Sequence, residues 1–205
     1  MARLWTEAHG YQMFDVISAL QKDIRRGNEE NAMYWCMEMI PKFEMYLWRR
    51  LMAILNEDIG IANPMLLSII PEQRRMYFEM REIGKDGPAR LALANAILLM
   101  CRSPKTRLAD HFQRYITQRW MTEEAWEIPD YAFDHHTGKG KRMGRTLEFW
   151  LKEGCLLIPK ADIPNPYEQH AAELWNPDTK VFPDWPKRRS KNQKDWPEDE
   201  QLTLF

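Results

Sequence analysis

Cysteine is scarce in this chain, and the little there is does not pair. Cys36, Cys101 and Cys155 lie far apart, with no Cys-x-x-Cys spacing. That excludes a zinc knuckle, a dithiol redox motif and a disulfide framework, and it predicts reduced, buried thiols in a cytoplasmic protein. An excess of one charge is also missing. The 29 Lys and Arg balance 30 Asp and Glu to a net charge of -1, so any contact with nucleic acid has to come from a local patch. No apolar run reaches the roughly 18 residues a membrane span requires, and the first residues show no charged-then-apolar leader pattern. Valine and isoleucine are nowhere gathered into alternating runs, so strands are not expected. No Gly-x-x-x-x-Gly-Lys-Ser/Thr segment is present to cradle phosphates, and no apolar run ends in Asp-Glu. The chain is therefore expected to be soluble, all-α, free of cofactors and not an ATPase.

Helical periodicity dominates from Tyr11 to about Trp126. Phe14, Ile17, Leu20 and Ile24 form one stripe of a helix that ends near Gly27. Asn28, Glu29 and Glu30 read as the cap and acidic first turn of a second helix carrying Met33, Cys36, Met37 and Ile40, which Pro41 should interrupt. A third is expected over residues 43–55, with Leu47, Leu51, Ile54 and Leu55 inward. Turn residues fill 56–64, and helices resume over about 64–83, 88–101 and 105–120. Thirteen methionines and nine tryptophans suit either a core of large side chains or sticky partner surfaces.

Beyond residue 126 the character changes. Three parts are expected: a helical bundle over 1–126, a basic Gly-containing loop with a short helix over 127–160, and an extended tail over 161–205 rich in Pro and Trp. The short helix carries Leu147, Trp150 and Leu151. Trp175, Trp185 and Trp196 suit packing along the bundle or stacking on bases. The last five residues, Gln201, Leu202, Thr203, Leu204 and Phe205, resemble the peptide that docks on the bacterial sliding clamp. Gln201 can reach polar groups at a pocket lip while Leu202, Leu204 and Phe205 act as apolar anchors, each contributing about 1.5–3 kcal/mol when buried. The ordinary alternative is a terminus folded back on the core.

Several blocks of the bundle are familiar together. Residues 15–25 (DVISALQKDIR), then Ala32-Met33-Tyr34-Trp35, Arg49-Arg50-Leu51, residues 57–64 (EDIGIANP) and Ser103-Pro104-Lys105-Thr106 resemble the C-terminal part of the replication-associated recombination protein A (MgsA/RarA) family of AAA+ ATPases. The resemblance covers about residues 11–110. It implies an all-helical domain like the clamp-loader collar, which in the family joins subunits into a ring, typically a tetramer. Self-association is thus expected, without the family's ATPase motor. Glu57 and Asp58, inside one of these blocks, read as capping a turn or pairing with arginine rather than as a catalytic pair.

The remaining concentration of chemistry is residues 134–145, DHHTGKGKRMGR. Three readings stay open. Lys139, Lys141, Arg142 and Arg145, with glycines that let the backbone come close, suit weak, salt-sensitive contact with nucleic-acid phosphates. Asp134 and His136 with a third group suit acid–base or metal-assisted cleavage of nucleic acid. Two adjacent histidines are poorly placed for one metal, so no metal site is expected; Asp130, His111 and His170 are the other candidates for the third group. In the third reading the segment is a solvated turn fixed by Asp134 and His136. Together these features lead to the expectation of a DNA replication or repair accessory protein that self-associates, docks on the sliding clamp and contacts DNA through the basic segment, at the replication fork or nucleoid of a bacterium or phage. The alternatives are a nuclease-like enzyme using Asp134 and His136, and a phage protein that diverts the host clamp.

Overall fold

The computed structural model describes residues 4–174. The terminal peptide and Trp175, Trp185 and Trp196 lie outside them. The chain divides between Ala125 and Trp126 into two compact units.

In the first unit α1 (Met13–Arg26) starts where the Gln12 side chain accepts the backbone N–H groups of Phe14 and Asp15. It stops at Gly27, whose φ of 75° is left-handed backbone that glycine adopts without strain. Its buried stripe of Val16, Ile17, Leu20 and Ile24 packs on α2. Asp23 closes the corner between them, accepting the Asn28 amide and the Trp35 indole N–H, each at 2.9 Å.

Helix α2 (Glu29–Ile54) is two helical stretches joined at a kink, where Pro41 was expected to interrupt the chain. Pro41 removes one N–H, and Phe43, two residues on, leaves helical geometry at φ -121° and ψ 25°. Both stretches are buried on either side of the kink. Cys36 and Met39 before it and Leu47, Trp48, Leu51 and Ile54 after it all enter one core. That burial outweighs the roughly 3 kcal/mol an interior proline costs.

A π-turn (Leu55–Ile59) and a 3-10 turn (Gly60–Ala62) then reverse the chain. Helices α3 (Leu66–Glu82) and α4 (Asp86–Arg102) pack on each other, and α4 also touches α1 and α2. Trp48 and Tyr77, both fully buried, have ring centroids 5.3 Å apart. The Tyr77 hydroxyl donates to Glu44 at 2.9 Å. Helix α5 (Leu108–Thr122) contains no buried residue at all.

The second unit begins at Trp126. It holds a 3-10 turn (Asp130–Ala132), α6 (Gly138–Arg142), α7 (Leu147–Phe149) running into a π-turn (Trp150–Gly154), and α8 (Glu168–Leu174). The basic run expected as a loop is thus partly helical, because Thr137 caps it by accepting the Gly140 N–H at 2.9 Å. Within the segment expected to be an extended tail, α8 is a further helix. Among the described residues there is no strand, only one isolated bridge between Trp5 and Gln12, and the fold is all-α. No described helix is long and apolar enough to cross a membrane.

Candidate functional site

The site is built around one tight turn. Asp134 accepts the His136 N–H through its own carboxylate at 2.8 Å, and its carbonyl accepts the Thr137 N–H at 3.1 Å. The turn is closed from the other side by Gly140. A Cβ there would stand 1.8 Å from the Asp134 carbonyl oxygen and 2.6 Å from that of Phe133, so only glycine lets α6 lie against this backbone.

The turn adds His135 to Asp134 and His136, the pair that the sequence had already set together. The rings of His135 and His136 have centroids 3.8 Å apart, and both stand edge-on to Trp150, at 6.0 and 5.4 Å. His136 Nδ1 lies 3.3 Å from Asp134 Oδ2. One ligand atom from each of Asp134, His135 and His136 falls within 4.8 Å of the others. The adjacent histidines, expected to be poorly placed for one metal, lie on one side of the Asp134 turn. Desolvation works against the Asp134 carboxylate, but the hydrogen bonds from His136 and the neighbouring imidazoles outweigh it and hold its pKa below the usual value. Cys155, next along from Gly154, has its thiol pushed up by desolvation and by the charge of Asp134. Asp130, a candidate third group, is engaged by Arg145.

The four basic residues divide into two pairs. Arg145 donates to both oxygens of Asp130, at 2.8 and 2.7 Å, and its guanidinium carbon lies 3.8 Å from the centre of the Phe149 ring. Lys139 places its ammonium 3.8 Å from the centre of the Phe133 ring. Both therefore brace the unit. Lys141 and Arg142 are exposed on α6. Nothing in the sequence distinguished the two pairs, since the aromatic partners lie six residues before Lys139 and four after Arg145.

Glu57 and Asp58 form an ionic network in the first unit. Arg25 pairs with Glu57 at 2.9 Å and with Asp58 at 2.7 Å. Gln21 donates to both carboxylates, and Arg50 donates to Gln21. Arg107 reaches Glu57 at 3.0 Å, and the Thr106 N–H reaches the Asp58 carbonyl at 2.9 Å. With Asp58 1% exposed and every nearby cation committed, this pair organises the turn, as its arginine-pairing reading implied.

An all-α bundle followed by a small, turn-rich unit is the class of structure these residues define. The family model described as MgsA AAA+ ATPase C terminal matches residues 27–154, most of the first unit and the start of the second. The chain belongs to that family. It is 28% identical over 141 residues to the replication-associated recombination protein A of Bacillus subtilis, a match covering 66% of this chain and 32% of that protein. The Escherichia coli K12 protein of the same name is 29% identical over 149 residues, 68% of this chain and 31% of the relative. An uncharacterized AAA domain-containing protein of Mycobacterium tuberculosis is 32% identical over 139 residues, 66% of this chain and 29% of the relative. The chain thus spans about a third of the length of these relatives, and the region matched is the family's C-terminal part rather than its ATPase module.

Proposed function

We propose that this chain is a DNA replication or repair accessory protein that self-associates and docks on the bacterial sliding clamp. The observation that carries the reading is family membership: the most informative relatives are named for replication-associated recombination. The clamp contact is assigned to Gln201, Leu202, Leu204 and Phe205, whose order matches a clamp-docking peptide. The self-association surface is assigned to α5, where Leu108, Phe112, Tyr115, Trp120 and Met121 are all more than half exposed; Leu108, Phe112 and Tyr115 share one face of a helix that has no buried residue. Nucleic-acid contact falls to Lys141 and Arg142, the two cations of the basic segment not engaged with an aromatic ring or Asp130. These would touch phosphates only, so binding is weak, indifferent to sequence and steeply salt-dependent.

In this reading the chain is a tether. A single peptide contact is weak, and several copies on one oligomer raise the effective local concentration of the next peptide. A titration of the full chain and of a chain lacking residues 201–205 against purified sliding clamp tests it. The full chain should bind and the shortened chain should not, with identical circular dichroism. Equal binding by both would overturn the assignment of the peptide.

A further inference from the structure

We propose that Asp134, His135 and His136 bind one divalent cation of the zinc type. The inference stands on geometry that clamp docking does not require. Two donors held about 2.0–2.1 Å from a tetrahedral ion stand roughly 3.3 Å from each other. Asp134 Oδ2 and His136 Nδ1 are 3.3 Å apart. The three donors span at most 4.8 Å, and His136 is 56% exposed, so its ring is reachable from solvent.

Two further observations point to a ligand. The Nδ1 atom of His135 is buried and has no hydrogen-bond partner, so it stands inside a polar turn with its lone pair or N–H unused. A buried imidazole nitrogen in that condition is costly, and a cation would satisfy it. The carboxylate of Asp134 is also oriented in advance. One oxygen accepts the His136 N–H at 2.8 Å, which steers the other toward the imidazoles. That is how supporting hydrogen bonds position a metal ligand.

The donor set selects the ion. Two imidazoles and one carboxylate suit Zn2+, Co2+ or Ni2+, whereas Mg2+ and Ca2+ prefer all-oxygen sites. Three protein donors leave a position for water on the side where His136 meets solvent. Trp150 stands edge-on to both imidazoles. Gly140 and Gly154 keep the cluster compact, since a Cβ at Gly154 would lie 2.7 Å from the Trp150 ring and 3.4 Å from Asp134 Oδ2.

The test uses the full chain with any histidine tag removed. Zn2+ is titrated calorimetrically, and Co2+ by its visible absorption. Binding should saturate at one ion per chain and persist in excess Mg2+. His135→Gln and His136→Gln should each weaken it about tenfold or more, while Cys155→Ser should leave it unchanged. Circular dichroism checks that each variant is folded. Failure to saturate, equal competition by Mg2+, or affinity undiminished in both histidine variants would overturn the proposal. If the histidine variants do not fold, the Co2+ spectrum of the unaltered chain decides: nitrogen and oxygen ligation supports the site, and a thiolate charge-transfer band refutes it.

Discussion

Single residues carry more of this structure than their chemistry advertises. Gly140 is the clearest case, because the space a methyl group would take is already filled by two carbonyl oxygens. Gly140→Ala should cost about 1–3 kcal/mol in the second unit. Limited proteolysis should register this as faster cleavage between residues 126 and 154, with the first unit unaffected. The thiols give a second expectation. Burial pushes the Cys101 thiol up to about 11, against a smaller opposing pull from Lys105, and burial raises Cys36 as well. A folded protein that holds these protons more tightly than the unfolded chain gains stability that is complete below roughly pH 8.5, the ordinary cysteine value. That stability is lost as pH rises toward 11, since the unfolded chain gives up its thiol protons first. Urea unfolding at pH 7.5 and pH 10 should show the decline, and a Cys36→Ala, Cys101→Ala chain should show a flatter one.

At the scale of elements, the kinked α2 and the unburied α5 show opposite uses of an apolar stripe. In α2 the stripe is consumed within the bundle on both sides of the kink that follows Pro41. In α5 the stripe of Leu108, Phe112 and Tyr115 is exposed. Replacing Phe112 and Tyr115 together by Asp should therefore leave the fold intact and reduce the proposed self-association. Sedimentation should find smaller species, and a Tm lowered by no more than a few degrees would separate a surface role from a core role. An unchanged mass would remove α5 from the interface. These elements also mark what the sequence made legible. The helix end at Gly27, the apolar period of α1 and the break after Pro41 in α2 could be read directly, because capping, burial and a missing N–H are local effects. The helical state of residues 138–142 was hidden: two glycines argued for a loop, and the Thr137 cap and the backbone contact at Gly140 overrode them.

For the molecule as a whole, the family resemblance was readable because it rests on blocks that also build the network. Arg25, Glu57, Asp58 and Thr106, all within the recognised blocks, meet in space, and Arg50 joins them through Gln21 of the first block. The second unit was less legible. Its cluster depends on a turn that places Asp134, His135 and His136 on one side, and its basic residues on aromatic partners that charge counting does not register. The network has one more consequence. Helix α5 is fastened to the bundle near its first turn, through Thr106, Arg107 and the Leu55–Ala62 turns, while Trp120 near its far end is 80% exposed. It is a cantilever with an ionic anchor. Force applied at the tip by a bound neighbour would be delivered to Glu57 and Asp58, and through Arg25 and Gln21 to α1, so added salt would loosen the hinge of this arm while leaving the apolar core beneath it untouched.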